Sequence, residues 1–120
     1  MDPIWNDSQP IYRQLRERVI TMILEGTLKE GDALPSVRSV AADYQLNPLT
    51  VLKSYQTLVD DDLVEKRRGL GMFVKEAAYK KLMSDEREKF LREEWPQITQ
   101  RIERLELDVN DLLKNTGDKQ

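Results

Sequence analysis

The chain has no cysteine and no histidine among its 120 residues. The first absence excludes a disulfide framework, a thiol nucleophile and a thiolate metal site. The second removes the commonest general base and the commonest metal ligand. Carboxylates are plentiful, but none falls in a recognisable metal loop or catalytic pairing. No metal, no cofactor and no enzyme chemistry is therefore expected. No apolar run approaches membrane-spanning length and nothing near the start resembles a signal peptide, so a cytoplasmic protein without a membrane partner is expected. A basic surplus is missing too: the net charge is -3. Residues 1–75 carry ten Lys/Arg against eleven Asp/Glu, and the remainder carries nine against eleven. If the chain binds a polyanion, it does so through where its cations sit and not through their sum.

What is present is ordered punctuation. Ile11, Leu15, Val19, Met22 and Ile23 recur at helical spacing and predict an amphipathic helix over residues 10–25, opened by Pro10 and closed by Gly26. After a loop over residues 27–35, Ser36 is placed to cap a short helix whose inner stripe is Val37, Val40, Ala41 and Tyr44. Asn47-Pro48 is a second start signal, with Asn as cap and Pro at the first helical position. In the helix that follows, Val51, Tyr55 and Leu58 share a narrow arc, while Leu49, Thr50, Lys53, Gln56 and Thr57 lie opposite. Residues 63–66 and 72–75 read as two strands joined through Arg67-Arg68-Gly69-Leu70-Gly71. Helix, turn, helix and basic hairpin in this order predict a winged helix-turn-helix. A helix fits the major groove of duplex DNA, and a basic hairpin beside it reaches the backbone or the minor groove. Arg38, Lys53, Lys66, Arg67 and Arg68 lie in the elements expected to face DNA, whereas Asp60-Asp61-Asp62 lies elsewhere.

The character changes near residue 77 to highly charged helix. Pro96 is expected to kink it or to open a second helix. Beyond Pro96, Ile98, Ile102, Leu105, Val109 and Leu112 step by four, three, four and three, which reads as an a/d heptad seam. A seam this short is marginal alone and needs a partner. Leu82, Phe90, Leu91 and Trp95 of the preceding helix offer one within the chain, and a second copy offers another. The tail over residues 115–120 reads as frayed. The expected fold is mainly α with a small β-wing: a winged helix-turn-helix over residues 1–75, then a two-helix dimerisation segment over residues 76–120.

Several of these strings together resemble a known family. Pro10-Ile11-Tyr12-Arg13-Gln14-Leu15, Gly26-Thr27-Leu28, Gly31-Asp32-Ala33-Leu34-Pro35-Ser36-Val37-Arg38, Asn47-Pro48-Leu49-Thr50-Val51 and Gly71-Met72-Phe73-Val74 are similar to the GntR family of bacterial transcription regulators. The short C-terminal region resembles that of the YtrA-type subfamily. The resemblance implies a homodimer that represses operons, often ones encoding ABC transporters, by binding double-stranded DNA at an inverted repeat. It implies DNA contacts from Ser36, Arg38 and Ser39, from Leu49, Thr50 and Lys53, and from Arg67, Arg68 and Gly69. It also implies dimer contacts through Leu91, Trp95, Ile98, Ile102, Leu105, Val109 and Leu112. The sequence departs from the family at Gln45, where many relatives have glycine, and at Leu49 and Leu52, where polar or basic residues are common. Leu49 can touch a thymine methyl but reads no donor or acceptor. Two further expectations stay open beside this one. One is a winged-helix module that binds proteins and not DNA. The other is a small-molecule effector of unspecified identity, near Phe90 or Trp95.

Overall fold

The computed structural model describes residues 5–117. Helix α1 spans Ile11–Leu24, α2 Val37–Tyr44 and α3 Pro48–Asp60. Strands β1 (Val64–Arg67) and β2 (Gly71–Val74) form an antiparallel hairpin, and α4 covers Ala78–Lys89. A π-helical turn at Phe90–Glu94 leads into α5 (Trp95–Arg104), and α6 covers Val109–Gly117. The chain divides into two compact units, Met1–Met83 and Ser84–Gln120. No helix among the described residues is long and apolar enough to cross a membrane.

The first unit is built around α3, which packs on α1, α2 and β1. Val51, Tyr55 and Leu58 are withdrawn from solvent, against Leu15, Val19, Ile20 and Ile23 of α1 and Val40 and Ala41 of α2. Burying an aliphatic side chain of this size contributes about 1.5–3 kcal/mol, so the α3 stripe is the centre of the fold. Leu63, Val64 and Val74 from the hairpin join the same core, as do Ala78 and Leu82 of α4. The first unit therefore extends beyond the wing into the opening turns of α4. In α1, Ile20 is buried where the spacing pointed to Met22, which is half-buried. Buried Gln14 ties the segment before α1 into place: its amide nitrogen donates to the carbonyls of Asn6 at 2.8 Å and Gln9 at 2.7 Å.

Both expected caps form. The Ser36 hydroxyl accepts from the Ser39 amide at 3.0 Å, and the Asn47 side chain accepts from the Leu49 amide at 2.9 Å. Gln45 ends α2 in the left-handed conformation (φ 53, ψ 48), where the family resemblance leads us to expect glycine. The strands start one residue away from the sequence expectation, in the register Val64↔Val74 to Arg67↔Gly71. The loop before α2 does more than connect. Gly31 donates to the Val74 carbonyl at 2.8 Å, Val74 to Asp32 at 2.9 Å and Leu34 to Met72 at 2.8 Å. The segment Gly31-Asp32-Ala33-Leu34 thus lies along the free edge of β2 and fixes the start of α2 beside the wing.

The second unit bears out one expectation and corrects another. Pro96 opens a helix, lying in the first turn of α5. The amide of Trp95 reaches the Phe90 carbonyl, a wide π turn that makes room where the proline ring would meet the carbonyl of the preceding turn. The heptad seam, however, is not one continuous helix. After α5 the Leu107 amide returns to the Ile102 carbonyl and Glu106 to Glu103, both at 3.0 Å, with Glu106 at φ 57. This is a Schellman ending. Asp108 then caps α6, accepting from the Asn110 amide at 2.8 Å. Ile98 and Ile102 lie on α5, Val109 and Leu112 on α6, and Leu105 in the turn between them. Residues 115–117 are helical and not frayed, and the remaining tail residues 118–120 lie outside the described residues.

Candidate nucleic-acid interface

Three elements converge on one face of the first unit: the start of α2, the outer arc of α3 and the tip of the wing. Tyr55 organises the first two. Its ring is buried in α3, and its hydroxyl donates to the Pro35 carbonyl at 2.7 Å, holding the residue that precedes the Ser36 cap. Burial pushes the Tyr55 phenol up to about 12, with the nearby Tyr44 adding to the effect, so it stays a donor. Ser36, Arg38 and Ser39 are all exposed at the start of α2. The Ser36 oxygen and the Ser39 amide are already paired with each other, which leaves Arg38 as the free cation of this corner.

On α3, Leu49 presents its side chain to solvent at 70 % exposure, while Thr50 is half-buried. Lys53 is exposed, but its ammonium lies 4.1 Å from the centroid of the Tyr12 ring on α1. At the wing tip, Gly69 (φ 79) and Gly71 (φ 115) allow the tight reversal around Leu70, whose amide donates to the Arg67 carbonyl at 2.9 Å. A substituted residue at either glycine would be strained by that backbone. Arg68 projects from the tip without an ion pair or hydrogen bond among the described residues. Arg67 is held back along the hairpin. Its guanidinium lies 4.3 Å from the Phe73 ring and 3.0 Å from the Glu65 carboxylate. An open cleft of about 350 Å³ joins wing to helices, lined by Pro35, Ser36, Leu52, Lys66, Arg67 and Gly69 among others. Of the site residues drawn from the sequence, this cleft brings together Ser36, Arg67 and Gly69, with Lys66 and Leu52 beside them, whereas Lys53 is held against Tyr12 of α1.

The family profile for bacterial regulatory proteins of the gntR family matches residues 11–74, from the first residue of α1 to the last of β2. The chain belongs to the GntR family. The HTH-type transcriptional regulator YhcF of Bacillus subtilis is 31% identical over 114 residues, covering 95% of this chain and 93% of the relative. The HTH-type transcriptional repressor YtrA of the same organism is 40% identical over 78 residues, 65% of this chain and 58% of the relative. Among solved structures, YtrA from Sulfolobus acidocaldarius matches with a TM-score of 0.61 and 28% identity, over 88% of this chain and 95% of that one. The chain is a DNA-binding transcriptional regulator and not an enzyme, as are its relatives.

This GntR regulator resolves its unfavourable charge balance locally. The acidic run at the end of α3 is largely paired: Asp61 pairs with Arg16 at 2.6 Å and Asp62 with Lys75, while Asp60 accepts from the Gln56 amide at 3.1 Å. The Lys75 ammonium, hydrogen-bonded to Asp62, holds that carboxyl below its ordinary value and is itself raised. Arg38, Lys66 and Arg68 have no carboxylate partner among the described residues. The face expected to meet DNA thus keeps these cations, while Asp61 and Asp62 are each matched by a cation elsewhere. Sequence reasoning missed Tyr12 and Tyr55 because each acts on a group far away along the chain. Their only signal was an aromatic residue at a helical position, which reads equally well as core.

Proposed function

We propose that this regulator acts as a homodimeric repressor that binds a two-fold symmetric operator, one recognition helix α3 per half-site. One observation supports the dimer above others: no side chain of the Ser84–Gln120 unit is buried among the described residues. Leu91 (62 % exposed) and Leu105 (56 %) are the most open of the proposed dimer residues, and Trp95 and Ile98 are also exposed. Ile102, Val109 and Leu112 are half-buried. Helices this short are marginal in water unless an apolar face is covered. A second copy offers the same face, and a closed two-fold pairing satisfies both. Two-fold symmetry in the protein implies an inverted repeat in the DNA. Repression is carried over from the named activity of YtrA, to which this chain is similar.

In this assignment Arg38 and Arg68 grip backbone or base edges at the two ends of the interface, with Ser36, Ser39 and Gly69 supplying close backbone approach. Leu49 and Thr50 face bases from the first turn of α3, and Arg67 shapes the wing through Phe73 and Glu65. With an apolar residue at the head of the recognition helix, sequence preference leans on thymine methyl contact and DNA shape. No small-molecule site is assigned. A cleft along α5, for example, is open and lined by Glu94, Gln97, Gln100, Arg101 and Arg104 around Ile98. The dimer is tested by sedimentation equilibrium of the full chain and of Ile102→Asp. Two-protomer mass for the wild type and a shift toward monomer in the variant are expected. A wild type that stays monomeric at tens of micromolar contradicts the dimer.

A further inference from the structure

The wing occupies one flank of α3, and the opposite flank carries a second set of cationic and aromatic groups. Lys53 lies 4.1 Å from the centroid of the Tyr12 ring, and the Nε of Arg13 donates to the Tyr12 hydroxyl at 3.4 Å. Arg13 and Lys53 are exposed, and Tyr12 is half-buried. The Tyr12 phenol is lowered from its ordinary value, first by the Arg13 hydrogen bond, which shows both cations acting on one spot. Tyr12 and Arg13 border an open cleft between α1 and α3, together with Gln9, Arg16 and Thr57. Of its carboxylates, Asp61 is paired with Arg16, while Asp60 accepts only from the Gln56 amide and, like Glu17, has no cationic partner among the described residues.

The geometry of α3 gives this cluster a place relative to DNA. Residues advance by about 100° each around a helix. Leu52 borders the cleft beside the wing, whereas Lys53 is held against α1. Those two directions are about 100° apart, and Leu49 and Gln56 fall between them. A helix in the major groove, about 12 Å wide, has one phosphate wall on each side. If Leu49 and Gln56 point into the groove, Lys53 is directed toward a wall.

We propose that Tyr12, Arg13 and Lys53 form a phosphate-binding patch on the flank of α3 opposite the wing, engaging the strand that the wing does not. Lys53 then contacts backbone and not a base edge, with Tyr12 as the positioning residue that holds its ammonium. The proposal rests on DNA binding through α3 and assigns Lys53 differently from the sequence resemblance. It carries a distinct signature. A phosphate contact contributes to every duplex alike and to the salt dependence of binding, whereas a base contact contributes only to the preferred sequence.

The test is fluorescence anisotropy of a labelled mixed-sequence duplex, about two helical turns long, titrated with the full chain across a range of potassium chloride. Arg13→Gln and Lys53→Gln are each expected to weaken binding several-fold and to lower the salt slope by about one. Tyr12→Leu, which removes the ring beneath Lys53, should lose more than Tyr12→Phe, which keeps it. Arg18→Gln is the control for simple loss of charge, because Arg18 lies on a different face of α1, beside Thr21 and Glu25. Thermal unfolding of each variant guards against loss of fold. If Arg13→Gln and Lys53→Gln track Arg18→Gln, the patch is overturned while DNA binding stands. If the wild type binds no duplex even at low salt, the underlying DNA-binding assignment fails and the patch with it.

Discussion

Tyr55 links the core to the interface through a single hydroxyl. Its ring belongs to the buried stripe of α3, and its oxygen holds the Pro35 carbonyl that sets the start of α2. Two consequences can be measured. The phenol is pushed up to about 12 by burial, against an ordinary value near 10 in the unfolded chain. The folded state thus resists ionisation that the unfolded state accepts. This contribution is complete below about pH 10 and is lost as pH rises toward 12, amounting to about 3 kcal/mol at most. Tyr55→Phe should cost about 1 kcal/mol at neutral pH by removing the hydrogen bond. It should also flatten the alkaline loss, as read by urea denaturation at pH 8 and at pH 11. An unchanged alkaline slope would show that another group controls it. Arg38 and Arg68 make the opposite case, being exposed and without carboxylate partners. Arg38→Ala and Arg68→Ala should each weaken duplex binding while leaving the melting temperature within about 3 °C of wild type, since surface changes usually stay within about 0.5 kcal/mol. Loss of folding in either variant would assign that arginine to structure.

The elements differ in how openly the sequence announces them. The α3 core stripe, both caps and the glycines of the wing were legible because each depends on neighbours within a few residues. The strand-like pairing of Gly31-Asp32-Ala33-Leu34 with β2 was not, because its partner lies some forty residues further on and the segment has no alternating pattern of its own. The contact of Tyr12 with Lys53 was hidden for the same reason. The C-terminal seam misled differently. A four-three spacing is satisfied by one helix and equally by two helices joined through a tight turn. Asp108-Val109-Asn110-Asp111 carried the missing signal, an N-cap aspartate ahead of a new helix. Glu106 concealed the turn, since a Schellman ending usually shows itself by glycine. Gln45 fills the same left-handed role after α2, where the Leu46 amide returns to the Ala41 carbonyl at 2.9 Å. A side chain in that conformation costs about 1–2 kcal/mol relative to glycine. Gln45→Gly should therefore raise stability, by roughly 0.5–1 kcal/mol once glycine's greater unfolded-state freedom is counted. A lowered urea midpoint would mean that Gln45 makes a compensating contact.

For the whole molecule, an acidic chain binds a polyanion by spending its carboxylates internally. Asp61 and Asp62 are each ion-paired within the first unit, while Arg38, Lys66 and Arg68 have no carboxylate partner among the described residues, so the net charge of -3 does not describe the interface. The second unit presents the complementary situation: Leu91, Trp95, Ile98 and Leu105 are exposed, and the proposed second copy would cover them. In the proposed homodimer, recognition and pairing lie on successive parts of one short chain, and the spacing of the two recognition helices follows from how the two copies join. Selection of bound duplexes from a randomised pool, with the full chain at moderate salt, tests this most directly. A homodimeric regulator enriches one inverted repeat with fixed half-site spacing. Enrichment of an unpaired half-site would contradict the dimer, and no enrichment even at low salt would contradict sequence-specific recognition itself.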